Sequence, residues 1–214
     1  MPMYKTSSEM RNDPNFVRDR FPCVGEFQFD TIRKQPLPDG GIGLVACSRT
    51  SRHDRPENYR KGVHFFVDDY RFRKFRNDVE AGLATYSRYR FLLNPDFSRY
   101  REMREWQMIE AIGMNRWCGA WWQSKGLHVI PSVGWGSPWS LRYCFLGVER
   151  NAPVAVTTLG NRRSKADYLY GYDAMLERLA PSAVICLGEP FAEMRGPLIP
   201  VAYDYFGREV RDGR

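Results

Sequence analysis

Short apolar runs alternate with longer polar segments along the middle of the chain. Six of these runs have the length and composition of buried strands, and they lie at residues 43–47, 63–67, 90–93, 127–133, 154–158 and 183–187. A strand that is covered on both faces reads as a continuous apolar run rather than as an alternating one. The pattern therefore predicts several strands that are buried on both sides.

The segments between these runs show helical spacing. Met103, Trp106 and Ile109 fall on one face of a helix that is predicted to begin near Arg99. A second long helix is predicted after the capping signature Ser164-Lys165-Ala166-Asp167. Shorter helices are predicted in the basic stretch after Asp69 and at residues 140–146.

Strand followed by helix, repeated along a chain, is typical of a parallel sheet with crossover helices. We therefore predict an α/β fold of five or six mostly parallel strands, arranged as a doubly wound sheet or as a partial barrel. A chain of 214 residues favours one such domain. We assign it to residues 39–194, after an irregular N-terminal arm (1–38) and before a polar C-terminal tail (195–214).

Charge and aromatic content suggest the class of partner. The chain carries 32 Lys and Arg against 25 Asp and Glu, which gives a formal net charge of +7, and 14% of its residues are aromatic. Arginine pairs bidentately with phosphate and stacks on planar rings. A nucleic acid, most simply DNA, is therefore the expected partner.

Other features of the sequence argue against several classes of protein. The five cysteines form no CxxC pair, and the three histidines lack the spacing of a zinc site, so no metal and no cofactor are predicted. The N-terminus lacks an apolar signal segment, and no run reaches the length of a membrane span. We expect a cytoplasmic protein that does not associate with membranes.

Candidate chemistry collects where the predicted strands end, because ligands of parallel sheets bind beyond the carboxyl ends of the strands. The Asn94-Pro95-Asp96 step ends one strand abruptly, since proline cannot continue the ladder. Carboxylates at such an edge activate water or stabilise a positive transition state. Alternatively, Asp96 only stabilises a turn or the start of the next helix.

Three segments resemble a known family. NPDFS (94–98), HFFVDDYRF (64–72) and WWQSKGLHVIPSVGW (121–135) resemble domain-of-unknown-function family 4417, which occurs in bacteria and their phages. This resemblance implies no activity, although it makes a setting in phages, or in conflict between phage and host, plausible.

A second resemblance concerns the strand end itself. Some uracil-type DNA glycosylases carry an Asn-Pro step at the end of a parallel strand, where the Asn positions the attacking water, and a Pro-Ser step on a later loop. Asn94-Pro95 and Pro131-Ser132 are similar in kind. The resemblance implies hydrolysis of the N-glycosidic bond between a base and its sugar.

The predicted active site combines these observations. Asp96 or Asp69 is predicted to orient water and stabilise the sugar cation, and Asn94 to hold the water or the departing base. A base-excising enzyme also needs aromatic walls, polar groups that read the base, and cations for phosphates. The predicted binding residues are Phe97, Tyr70, Gln123, Ser132, Trp135, Arg99, Arg101, Arg162, Arg163 and Lys165.

Two other functions remain open from the sequence. One is a non-catalytic DNA-binding protein of a phage or mobile element, although no helix-turn-helix, zinc finger or RNP motif is present. The other is an enzyme for a nucleotide or a small phosphorylated ligand, with Gly160 and the helix after Ser164 holding a phosphate. No P-loop and no GxGxxG motif supports that second option.

Overall fold

The computed structural model of the chain describes residues 4–203. The strands in this span are β1 (Cys23–Val24), β2 (Phe29–Asp30), β3 (Leu44–Ala46), β4 (Gly62–His64), β5 (Phe91–Leu93), β6 (Val129–Ile130), β7 (Pro153–Thr157), β8 (Ala183–Leu187) and β9 (Leu198–Val201). The α-helices are α1 (Ser7–Asn12), α2 (Pro56–Tyr59), α3 (Leu83–Tyr86), α4 (Glu105–Ser124) and α5 (Lys165–Leu179).

Strands β3 to β9 are parallel and follow one another in chain order. One ladder joins β3, β4, β5 and β6, and a second joins β7, β8 and β9. A parallel bridge between Ser132 and Ala155 connects the two ladders. The prediction of a parallel α/β domain is confirmed. The order never reverses, as it must in a doubly wound sheet, so the arrangement is that of a partial barrel.

The two faces of this sheet differ. Its inner face forms one apolar cluster to which β3, β5, β6, β7, β8 and β9 contribute, together with Phe66 just after β4, so the sheet curls around a common interior. On the outer face, α4 packs against Val63, Leu92 and Val129, and α5 packs against the strands β7 and β8. Apolar residues on both faces explain the continuous apolar runs in the sequence.

Helix α4 begins later than the sequence predicts. It starts at Glu105, with Arg104 as its N-cap, instead of near Arg99. The backbone N–H of Arg104 donates to Gln107 Oε1 at 3.0 Å, which caps the first turn. Residues 94–104 therefore form a long connection between β5 and α4, and this connection lies at the carboxyl edge of the sheet.

Two shorter helices that the sequence predicts are 3₁₀ turns. The basic stretch after Asp68 forms two of them, Asp69–Arg71 and Arg73–Arg76. The segment after Gly136 forms a third, Pro138–Arg142. Short turns of this kind are common connectors.

The termini are more ordered than the sequence predicts. In the predicted arm, β1 and β2 form a hairpin and Phe29 is buried. Phe16, in contrast, is 53% exposed. In the predicted tail, β9 pairs with β8, and Pro200 is accommodated because β9 lies at the edge of its ladder. Residues 204–214 of that predicted tail lie outside the described residues.

Within residues 4–203, no helix is both long enough and apolar enough to cross a membrane.

Candidate functional site

A cavity of about 970 Å³ opens at the carboxyl ends of the parallel strands. The connections that follow β3, β4, β5, β6 and β7 all contribute to its wall. Its volume lies in the range of pockets that bind small molecules or single nucleotides. Four of the predicted site residues line this cavity: Asp96, Arg99, Arg101 and Trp135.

Asp96 and Arg99 form an ion pair in the cavity wall. Arg99 Nη2 donates to Asp96 Oδ1 at 2.5 Å, and Arg99 Nη1 donates to the carbonyl oxygen of Phe97 at 2.8 Å. The side chain of Arg99 is only 6% exposed, whereas that of Asp96 is 19% exposed. The second carboxylate oxygen of Asp96 has no hydrogen bond to any residue in the described span. Asp96 is therefore held in place by one oxygen, and its other oxygen remains available as an acceptor.

Glycine makes room for this ion pair. A Cβ at Gly134 would lie 2.3 Å from Arg99 Nη2, and a Cβ at Gly136 would lie 2.8 Å from the carbonyl oxygen of Arg99. Because no side chain stands at either position, the guanidinium packs directly against the loop after β6. The segment Gly134-Trp135-Gly136 thus brings Arg99 and Trp135 into the same wall.

Trp135 forms an aromatic wall with Tyr168 of α5. Their ring centroids lie 5.1 Å apart, and a Cβ at Gly171 would meet the indole at 2.2 Å. The hydroxyl of Tyr168 is buried and has no hydrogen-bond partner among residues 4–203. Burial is the main cause that raises the pKa of Tyr168, and the Asp96 carboxylate acts in the same direction. Tyr168 therefore stays protonated and is a hydrogen-bond donor beside the cavity.

A buried polar network lies beneath this wall. Asn94 Nδ2 donates to Asn115 Oδ1 at 2.5 Å, and Asn94 Oδ1 accepts from the Ser132 backbone N–H at 2.5 Å. Asn115 Nδ2 in turn donates to the Pro95 carbonyl oxygen at 2.8 Å and to Ser132 Oγ at 3.1 Å. These bonds join the ends of β5 and β6 to α4, and so they fix the start of both cavity loops.

This network changes the interpretation of Asn94 and Ser132. Both are fully buried, at 0% and 1% exposure, and neither lines the cavity. The structure therefore gives no support to the prediction that Asn94 holds the attacking water or that Ser132 binds the substrate. Their side chains form hydrogen bonds within the protein, as buried polar groups generally do.

Arg116 extends the network without a carboxylate partner. Its Nε donates to the Leu146 carbonyl oxygen at 2.7 Å and its Nη2 to the Cys144 carbonyl oxygen at 2.6 Å, while Nη1 contacts Asn115 Oδ1. Burial, together with the nearby Arg99 cation, lowers the pKa of Arg116 to about 9. The guanidinium thus ties α4 to residues 144–146 from inside the domain.

The Asp68-Asp69-Tyr70 step also differs from the prediction. Asp69 does not line the cavity, because its carboxylate accepts from Ser98 Oγ at 2.7 Å and from the Ser98 N–H at 3.1 Å. Its neighbour Asp68 lines the cavity instead. Tyr70 is 67% exposed and lies outside the lining residues. Adjacent residues point in different directions, so only one of the two carboxylates reaches the pocket.

Two other predicted binding residues pack elsewhere. Phe97 is fully buried against Phe72, with ring centroids 5.3 Å apart. Gln123 lies at the far end of α4, where its side chain bonds the backbone N–H and carbonyl oxygen of Arg33 at 2.9 and 2.8 Å. The first is a core residue and the second fastens the N-terminal arm, so the structure supports neither as a base-reading group.

The three predicted cations near the start of α5 lie outside the cavity. Arg162 pairs with Glu189 at 2.7 Å and Lys165 pairs with Glu193 at 2.6 Å, whereas Arg163 is exposed, and none of the three lines the cavity. Arg101 does line it, and pairs with Asp167 across the mouth at 3.1 Å. Exposed pairs of this kind are weak and readily exchange partners.

Several lining residues were not among the predicted site residues. The charged ones are Arg49, Asp68, Arg71, Glu102 and Asp167, and Tyr168 adds a buried hydroxyl. With Asp96, Arg99 and Arg101 they bring four arginines and four carboxylates to the cavity, so its charges balance. The proximity of Arg49 and Arg71 to predicted strand ends was the available signal.

Metal ligands do not cluster in the described part of the chain, where no group of three or more His, Cys, Asp or Glu side chains has a suitable arrangement. His64, on β4, is buried next to Phe66 and Tyr203. Burial lowers the pKa of His64 to about 4, and the Arg49 cation contributes to this shift. His64 is therefore a neutral interior residue below the cavity.

Comparison with known proteins places the chain in a family. A family model described as a domain of unknown function (DUF4417) matches residues 31–205. The Gene 1 protein of Mycobacterium phage D29 is 36% identical over 175 residues, which are 80% of this chain and 64% of that protein. The Gene 1 protein of Mycobacterium phage L5 is 35% identical over 149 residues, which are 68% of this chain and 65% of that protein.

These matches cover less than two thirds of the length of either phage protein. No solved structure matches the chain significantly. The family model, in contrast, includes all of the parallel strands and every loop that lines the cavity. The protein therefore belongs to the DUF4417 family of domains of unknown function.

Proposed function

We propose that the cavity is the active site of a cytoplasmic hydrolase that acts on nucleic acid and cleaves the N-glycosidic bond between a base, normal or modified, and its sugar. The observation that carries this proposal is the geometry of Asp96. Its carboxylate lines a cavity at the carboxyl ends of parallel strands, with one oxygen held by Arg99 and the other without a hydrogen bond to a described residue.

In the proposed reaction, the free oxygen of Asp96 accepts a proton from a water molecule. The water oxygen forms a bond to C1′ of the sugar while the bond between C1′ and the base nitrogen breaks. The electron pair of that bond leaves with the base, and the proton passes from Asp96 to the base nitrogen. The products are a free base and an abasic sugar, and no oxidant, reductant or metal is consumed.

Two features of the cavity support this chemistry. Asp68 and Glu102 line it together with Asp96, and carboxylates in the cavity wall would stabilise the positive charge that develops on the sugar. Trp135 and Tyr168 form an aromatic wall on which a planar base can pack. Of the three catalytic residues predicted from the sequence, the proposal retains Asp96 and assigns structural roles to Asn94 and Asp69.

The decisive experiment uses normal DNA, DNA with modified bases, and phage genomic DNA. The purified protein is incubated with each, and abasic sites are detected by alkali cleavage. Asp96→Asn should lower base release by about 100-fold or more while DNA binding is kept, because the amide preserves the shape and the hydrogen bond from Arg99. Full activity of this variant would contradict the proposed mechanism.

Asp173→Asn is the matched control. Asp173 also pairs with an arginine, Arg195, at 3.3 Å, but it lies on the exposed face of α5 and does not line the cavity. This variant should release base at the rate of the original protein. An equal loss in both variants would indicate a general effect on stability instead of a catalytic carboxylate.

A second candidate is an enzyme that acts on a free nucleotide or another small phosphorylated ligand. The balanced charge and the volume of the cavity favour it, because neither feature requires a polymer. Chromatography of free nucleotides after incubation tests it directly. Salt-sensitive retention of DNA, with no product from DNA or from nucleotides, would instead favour a non-catalytic DNA-binding protein.

A further inference from the structure

We propose that the surface formed by Tyr70, Arg71, Arg73, Lys74 and Tyr100, named here the basic aromatic surface, binds single-stranded nucleic acid and leads it into the cavity. The inference rests on the proposed function and deepens it by naming the substrate class, a base in an unpaired strand. Three features of this surface support it: its positive charge, its exposed tyrosine rings, and the contacts that hold it next to the cavity.

The charge of this surface lies on one face of a short segment. Phe72 and Phe75 point into the core and are buried at 0% and 1% exposure. Arg73 and Lys74 lie between them, Arg71 directly precedes Phe72, and all three are exposed. No acidic residue occurs in residues 70–77. The two 3₁₀ turns therefore present a compact row of cations to solvent.

Both ends of the same segment are held against neighbouring residues of the loop after β5, Ser98, which lines the cavity, and Phe97, which is buried beside it. Asp69 accepts hydrogen bonds from Ser98 at its beginning, and the guanidinium of Arg76 lies 4.8 Å from the ring centroid of Phe97 at its end. Arg71 itself lines the cavity. A strand that follows this row of cations is thereby directed to the cavity mouth, next to the loop that carries Asp96.

Two exposed tyrosines complete the surface. Tyr70 is 67% exposed, with the Arg71 guanidinium 5.1 Å from its ring centroid, and Tyr100 is 60% exposed at the cavity mouth. They lie on two loops that the bonds between Asp69 and Ser98 hold together. Exposed aromatic rings beside cations are the usual means by which proteins bind single strands without sequence preference.

These features favour a single strand over a duplex. Stacking on exposed rings requires unpaired bases, because the faces of paired bases are covered by their neighbours. The cavity is too small to admit a duplex, so a base must leave any duplex before it enters. The cavity lining holds as many arginines as carboxylates, so Arg73 and Lys74, which lie outside it, add the attraction for phosphates.

The test is fluorescence anisotropy with a labelled oligodeoxythymidine roughly 20 nucleotides long, which exceeds the usual site of one domain. A duplex of the same length and inorganic phosphate are the competitors. Tyr70→Ala and Tyr100→Ala should each weaken binding of the single strand by about fivefold or more. The double variant Arg71→Gln/Arg73→Gln should reduce the slope of log affinity against log salt by about 1.4.

Matched controls are an exposed tyrosine of α5, Tyr170, and the arginine that pairs with Asp173 of this helix, Arg195. Tyr170 is 65% exposed, almost the same as Tyr70, and Arg195 is an exposed arginine outside the cavity. Tyr170→Ala and Arg195→Gln should leave both affinity and salt slope unchanged. Far-ultraviolet circular dichroism confirms that each variant is folded before its affinity is compared.

The outcomes separate this inference from the proposed function. Tighter binding of the duplex than of the single strand, or equal effects in test and control variants, would overturn the basic aromatic surface as a single-strand site. Base release from free nucleotides without strand binding would overturn it as well, while leaving the hydrolase intact. Strand binding that depends on Tyr70 and Tyr100, without any base release, would support it and refute the hydrolase.

Discussion

The guanidinium of Arg99 lies 2.5 Å from Asp96 Oδ1 and packs against the backbone of Gly134, so that a partly buried ion pair forms one wall of the cavity. Two separate segments meet in this arrangement: the connection from β5 to α4, which carries both Asp96 and Arg99, and the loop after β6. Its energetic contribution is open to direct measurement.

The first prediction concerns this ion pair. Urea denaturation of Asp96→Asn, Arg99→Gln and the double variant should give a coupling free energy of about 1–3 kcal/mol, because both side chains are largely withdrawn from water. The same cycle on the exposed pair Arg162 and Glu189 should give less than about 1 kcal/mol. Similar coupling in the two pairs would show that the Asp96 carboxylate is not held as described.

The second prediction concerns the buried network. Asn115→Ala should lower the free energy of unfolding by about 2–4 kcal/mol, since it removes the side-chain hydrogen bonds that join Asn115 to Asn94 Nδ2, Arg116 Nη1 and the Pro95 carbonyl oxygen inside the protein. Chemical denaturation measures the loss. Asn58→Ala, which removes a hydrogen bond to Asp54 near the surface, should cost less than about 1 kcal/mol. A small cost at Asn115 would contradict its role in fixing the cavity loops.

The third prediction concerns the dependence of stability on pH. The pKa of His64 falls from 6.5 to about 4 on folding, mainly through burial. Between these values the unfolded chain binds the proton and the folded protein does not, so the stability is full above pH 6.5 and is lost as the pH falls toward 4. The loss amounts to roughly 3 kcal/mol.

His64→Leu removes this effect, and the comparison isolates it. The difference in unfolding free energy between the variant and the original protein should grow in favour of the variant as the pH falls from 6.5 to 4. Burial raises the pKa of Asp30 to about 6, which stabilises the folded state as the pH falls. That opposite contribution is present in both proteins and cancels. A constant difference across this pH range would show that the imidazole is not buried and neutral.

The fourth prediction concerns thiol reactivity. Cys23 is exposed and the other four cysteines are buried. Burial raises the pKa to about 12 for Cys47, Cys118 and Cys144, and to about 11 for Cys186. Because the thiolate is the reactive form, Ellman's reagent should rapidly modify one of the five thiols in the folded protein. Cys23→Ser should abolish this rapid phase, and rapid modification of further thiols would contradict the packing of the core.

The secondary structure was largely predictable where one local cause dominates. The apolar runs at β7 and β8 and the capping signature before α5 lie where the structure has those elements. Strand β9 was missed because its apolar run, which begins directly after Pro197, is short and is interrupted by Pro200. Its pairing with β8 is a contact between distant residues, which a local sequence pattern does not predict. Its position at the edge of the ladder accommodates the proline.

The candidate site was predictable only in part. Asp96 could be placed at the edge of the sheet because Asn94-Pro95 ends a strand, and that inference needs only neighbouring residues. Asn94 was assigned the wrong environment because Asn115, 21 residues later in the chain, reaches back to it from α4. Arg49 was left in an exposed loop, and only the curling of the sheet brings it to the cavity.

The sequence by itself determined the class of the fold, the family and the position of Asp96 at a strand end, because each depends on short-range patterns of apolar residues and turn formers. The tertiary structure decided which polar side chains face the cavity and which are consumed by hydrogen bonds inside the protein. The physical reason is that both ends of such a bond must be known before a buried polar group can be told from a free one, and its partner lies far away in the sequence.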